Sequence, residues 1–197
     1  GAVFVRQIHL WCAASAGVAL LLRGRDGRAW RAAPALLAPF VLMGVFWLMW
    51  GGLTPPAYAD IHDRGVNPAV IALALALFGL YGVWFLPAIL NASWQAAFDR
   101  RGAIGAAIGL VAGGAFPTSF SRSDGRWGGA VWELARRLPV VLDRSIVFPM
   151  LGAVGGFVLA HAFTRCRRDH GLILGVTLAG WVAAQCVNSQ AWQRYLE

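Results

Sequence analysis

Asp60, His62, Asp63 and Arg64 put two carboxylates, an imidazole and a guanidinium within five positions of one loop. Such a mix suits general-base work or the binding of a cation, because alternate residues of a loop can converge on one point. The same residue types also make a solvated turn after Pro55 and Pro56, and the spacing leaves both readings open. Arg6 stands near the start of an apolar stretch. There a guanidinium either grips an anion through its two-pronged donors or anchors a helix end at an interface. Ser119, Ser121, Arg122, Ser123, Asp124 and Arg126 form a third polar group, suited to phosphate or sugar and equally to a plain connection. His161 sits inside an apolar run, where only a carboxylate partner would make it a proton relay. The apolar runs themselves contain no acid.

The elements that must position these groups are read from the apolar pattern. The chain is 58% hydrophobic and 13% charged, with a mean hydropathy of +0.60, far from the mix of a water-soluble domain. Apolar stretches cover residues 2–22, 34–50, 68–91, 102–116, 145–163 and 171–187. A hydrocarbon core of about 30 Å takes a helix of roughly 20 apolar residues, so the pattern predicts an all-α, polytopic transmembrane bundle of about six spans. Little is left for a separate soluble domain, and residues 1–197 are read as a single integral membrane domain. The start at Gly1 and the end at Glu197 suggest a fragment of a longer chain. The stretch 102–116 is rich in glycine, which predicts close packing on a neighbour through small residues.

Arginine clusters at 23–31, 99–101 and 165–168 are short and dense, and an even alternation of spans puts all three on one side, read as cytoplasmic. Both termini and the longer polar segments 51–67, 117–144 and 188–197 then face outward. In residues 129–142, Val131, Leu134, Leu138 and Val141 recur at helical spacing opposite Glu133, Arg136 and Arg137, which predicts an outward-facing interfacial amphipathic helix. Most of the ten tryptophans fall near span ends, as an aromatic belt requires.

Several function classes are excluded or disfavoured. The net charge of +8 sits at the ends of apolar runs and not in a basic patch, so nucleic acid is not an expected partner. Cys12, Cys166 and Cys186 are far apart and show no metal-ligand spacing. No nucleophile elbow, phosphate-binding loop, dinucleotide fingerprint or zinc-protease motif occurs. All nine acids lie in loops or tails, which argues against ion-driven transport. Every one of the 17 basic residues is arginine, and alanine and glycine abound. That bias suits a GC-rich bacterial genome, and with it a bacterial cytoplasmic (inner) membrane.

Four pieces in order carry a family resemblance: Arg6-Gln7-Ile8-His9-Leu10-Trp11; Trp50-Gly51-Gly52 with Asp60 and His62 after it; Phe116-Pro117 ahead of a polar stretch and an arginine-bearing helix; and Gln193-Arg194-Tyr195. Together they resemble the later half of a GT-C fold glycosyltransferase, and are similar to the dolichol-pathway α-1,2-glucosyltransferase group. The resemblance implies transfer of a sugar from a polyprenyl-phosphate carrier on the outward face, with no cofactor and no metal. It implies Asp60 and His62 as catalytic residues and Arg6, Arg122 and Arg194 as phosphate contacts. The implied partners are membrane lipids, the polyprenyl-phosphate sugar donor and other membrane proteins. In that family the catalytic aspartate usually follows the first span, and nothing here matches that region. The alternative is therefore a non-catalytic transmembrane accessory subunit of a larger membrane complex.

Overall fold

The computed structural model describes residues 10–23, 31–52, 66–90, 99–118 and 129–186, and 82% of it is helical. In chain order the elements are α1 (Trp11–Arg23), α2 (Ala33–Trp50) and α3 (Ala69–Gly82), which continues through a 3-10 turn (Val83–Phe85) into α4 (Leu86–Leu90). Then come α5 (Arg100–Gly114), α6 (Ala130–Arg137), a hairpin of β1 (Val140–Val141) and β2 (Arg144–Ser145), α7 (Val147–Arg165) and α8 (Arg168–Cys186). A helix overlaps each of the apolar stretches read from the sequence. Three are long and apolar enough to cross a membrane: Ala33–Trp50, the run Ala69–Ala88, and Val147–Arg165. The described helices form two compact units, one of α1, α2 and α8, the other of α3 to α7 with the hairpin.

In the first unit α1 packs on α8, and a Cβ at Gly180 would stand 2.9 Å from the Cβ of Trp11. Hydroxyls in these helices turn back on their own backbone: Ser15 donates to the Trp11 carbonyl and Thr177 to that of Ile173. Such bonds hide a polar group in apolar surroundings. α2 begins with Pro34 in its first turn, where a missing N–H costs nothing, and stops at Gly51, whose φ of 64° is left-handed. Only 6% of this helix is buried. Leu37, Val41, Trp47, Leu48 and Met49 all stand exposed. A helix apolar on every side suits apolar surroundings such as lipid.

The second unit is built around α7. Gly105, Gly109 and Gly113 recur every four residues and form one stripe along α5. The facing stripe on α7 is Gly152 and Gly156. A Cβ at Gly105 would stand 2.5 Å from the carbonyl oxygen of Gly156, and one at Gly113 would stand 2.5 Å from that of Phe148. At Gly152 it would stand 2.6 Å from that of Gly109. No side chain of any size fits there, so the two backbones touch. On its other flank α7 sets Gly155 against Leu75 and Gly79 of α3. The order of these contacts fixes direction: α5 runs antiparallel to α7, and α3 runs parallel to it. The glycine-rich stretch thus packs as its small residues predict.

The expected helix over 129–142 is corrected. It ends at Arg137, because Pro139 disfavours helical backbone at Leu138, whose ψ is 160°. The buried face is Val131, Trp132 and Ala135, while Leu134, Leu138 and Val141 are exposed. Trp132 tilts onto Phe148 of α7, ring centroids 4.5 Å apart, and both are fully buried. Beyond Pro139, Val140 pairs with Ser145 and Val141 with Arg144. The two-residue connection, Leu142 and Asp143, has φ of 50° and 59°, the pattern of a type I′ turn. Left-handed backbone at Leu142 costs about 1–2 kcal/mol, which the flanking contacts must offset.

Because the α5–α7 contact tolerates no side chain, Gly109→Leu is expected to cost on the order of 3 kcal/mol or more. Gly44 meets nothing within 4 Å. Gly44→Ala in α2 is therefore expected to be neutral or to stabilise by up to about 1 kcal/mol. Unfolding midpoints of both variants in one detergent check the contrast, and equal midpoints would contradict this packing.

Candidate functional site

The helix directions give the second unit two polar ends. One carries the start of α3, the end of α5, α6, the hairpin and the start of α7. The other carries the start of α5 and the end of α7. The arginine-bearing positions 99–101 and 165 therefore share one end, while 67, 118 and 129–145 share the other.

Asp60, His62, Arg6, Arg122 and Arg194 all lie outside the described residues, as do Asp63, Arg64 and the serines of 119–123. The positions where their stretches join the described chain are clear. Residues 53–65 lead toward Asn67 ahead of α3, and residues 119–128 link Thr118 to Gly129. Both junctions belong to the end that carries α6 and the hairpin.

That end is tied together by backbone bonds. Thr118 donates its N–H to the Asp143 carbonyl at 2.9 Å, and its hydroxyl oxygen accepts from the Ser145 N–H at 2.9 Å. The Ser145 hydroxyl, itself buried, donates to the Ala135 carbonyl at 3.2 Å. Arg144 closes the end of α5. Its Nε donates to the Gly114 carbonyl at 2.6 Å, one terminal nitrogen to Leu142 at 2.7 Å, and the other to Ala115 at 3.3 Å. A helix C-terminus leaves its last carbonyls unpaired and carries partial negative charge, and a guanidinium meets both needs. Arg144 is thus spent on structure. Arg137 and Arg136 reach Glu133 at 3.0 and 3.8 Å, exposed pairs that add little stability.

At the opposite end the structure brings together a pair that the sequence reading left apart. His161 is 4% exposed within α7, and its Nε2 lies 4.0 Å from the Asp99 carboxylate. The apolar runs contain no acid, and the carboxylate that meets His161 comes from just outside one of them. Asp99 stands outside the apolar run as the N-cap of α5, and its Oδ1 accepts the Gly102 N–H at 2.7 Å. The antiparallel packing of α5 on α7 carries that cap to the imidazole. The Phe157 ring meets the imidazole edge-on, with ring centroids 4.6 Å apart. The pair becomes an ion pair once the imidazole is protonated. The signal was present in the chain: an even alternation of spans already set 99–101 and 165–168 on one side.

Among the described residues, no three of the His, Cys, Asp and Glu side chains gather closely enough to hold a metal ion. Comparison with known proteins adds nothing to this geometry: no family model matches the chain, and no curated protein or solved structure matches it.

Substitutions at two positions follow from the caps. Arg144→Ala is expected to destabilise by about 1–2 kcal/mol, the worth of charge-assisted bonds discounted for partial exposure, with Arg144→Lys recovering less than half. Asp99→Ala is expected to cost about 1 kcal/mol and Asp99→Asn much less, since an amide oxygen still caps the helix. Thermal unfolding of the four variants checks both. An Asn variant as unstable as the Ala variant would shift the role of Asp99 from cap to charge.

Proposed function

We propose that this chain is part of a glycosyltransferase embedded in a bacterial cytoplasmic membrane, moving a sugar from a polyprenyl-phosphate carrier on the outward face. In this reading about six helices span the bilayer, and α6 lies at the outward interface. One observation carries it: the stretches bearing Asp60, His62 and Arg122 join the second unit at the same end, the end marked by α6 and the hairpin. Stretches far apart in sequence thus meet the second unit at one end, which supports a site for a lipid-linked donor there.

The chemistry follows from the residue types. The acceptor hydroxyl gives its proton to Asp60, or to His62 two positions on, and its oxygen bonds to the anomeric carbon. The bond from that carbon to the carrier's phosphate oxygen breaks. The departing polyprenyl phosphate gathers negative charge, which Arg6, Arg122 and Arg194 hold through bidentate bonds. Arg144 takes no part, because its donors already face carbonyls.

A second reading, a non-catalytic subunit of a membrane complex, is favoured by α2, whose apolar surface is almost wholly unburied and suits a neighbouring transmembrane helix as well as it suits lipid.

Transfer of labelled sugar from polyprenyl-phosphate donors to a panel of acceptors separates the two. Asp60→Ala and Arg194→Ala are expected to abolish transfer while the protein stays folded, and added chelator is expected to leave the rate unchanged. Wild-type turnover in either variant removes that residue from the site. Absence of transfer from any donor, with α2 crosslinking to a second membrane protein, leaves the subunit reading.

A further inference from the structure

Leu142 combines two costs in one residue. It holds left-handed backbone at the first position of a type I′ turn, a place suited to Asn, Asp or Gly, and it is 81% exposed. Val141 beside it, Leu134 on α6 and Leu138 just past its end are exposed as well. The hairpin has no freedom to turn this tip inward. Arg144 bonds to Gly114, Ala115 and Leu142, Ser145 bonds to Thr118 and Ala135, and Thr118 holds Asp143. The geometry presents an apolar leucine outward and keeps it there.

The surroundings say what it meets. Ser145 closes the hairpin, and α7, a helix long and apolar enough to cross a membrane, begins at Val147. The tip therefore sits where that helix leaves the hydrocarbon. Arg136 and Arg137 are exposed on the preceding helix α6, where both pair with Glu133. At that level apolar side chains enter the acyl boundary while charged groups stay among the headgroups.

We propose that the hairpin tip, Val141 and Leu142, together with the exposed Leu134 and Leu138, is a wedge that inserts into the headgroup and upper acyl region of a phospholipid leaflet. Insertion seats the second unit at a set depth and removes from water the apolar surface that the turn exposes. The proposal rests on the membrane-spanning reading of α7.

The test uses the full chain with Cys12, Cys166 and Cys186 changed to alanine, in nanodiscs of phosphatidylcholine and phosphatidylglycerol. An environment-sensitive fluorophore is attached at Leu142→Cys or, as a reference on α7, at Val154→Cys. Lipids carrying a nitroxide near the headgroup end or near the methyl end of the acyl chain then report depth. The expected result is loss of most signal at position 142 with the shallow nitroxide and little with the deep one, and the reverse order at 154. If 154 is quenched and 142 is not, the wedge is wrong and the spanning helix stands. If neither is quenched, the membrane reading of α7 fails and the wedge falls with it. Should Leu142→Cys fail to fold, Val141→Cys carries the same expectation.

Discussion

The backbone-on-backbone contact between α5 and α7 governs the second unit. In lipid, two helices gain little by hiding apolar side chains from one another, since the tails around them are as apolar as leucine. What remains is dispersion at short range and weak bonds from glycine Cα–H groups to carbonyl oxygens, both of which need the axes to come close. Gly105, Gly109 and Gly113 on one helix and Gly152 and Gly156 on the other make that approach possible. α7 repeats the device toward α3 through Gly155, so a single central helix uses two narrow stripes to hold both neighbours.

From this contact the polar chemistry takes its places. Antiparallel packing brings the end of α5 beside the start of α7, where Arg144 can reach the last carbonyls of α5 and Thr118 can join the hairpin. At the far end it brings the Asp99 cap of α5 to a buried imidazole on α7. Neither arrangement depends on a local motif. Each is the consequence of which helix faces which, and in which direction.

How much was legible in the sequence varies with the range of the interaction that decides it. The apolar stretches are set by local composition, and each holds a helix. The close packing of 102–116 was also readable, because glycine at four-residue spacing leaves little else for a helix to do. Pro139 was visible but its effect was missed: periodicity through Val141 looked helical, and the proline stops the helix before it and frees Val140 to pair with Ser145. Arg144 closes the polar segment 117–144, and nothing in its sequence neighbours reveals that α5 ends within its reach. The carboxylate partner of His161 was hidden for the same reason. Of the candidate site, Asp60, His62, Arg6, Arg122 and Arg194 rest on residue type and resemblance. The structure adds only where their stretches join the bundle.

The glycine stripe has a further property that comes from its regularity. A repeat of four residues on α5 meets a pair spaced by four on α7, so sliding one helix along the other by one four-residue repeat, about 6 Å, would still place glycine on glycine at two of the three crossings. The contact thus determines distance well and position along the axis poorly. The position has to be set by features that do not repeat: the Arg144 clamp on Gly114 and Ala115, the Thr118 link to the hairpin, and Trp132 against Phe148. These lie together at one end, and they act as the pawl on an otherwise even ratchet.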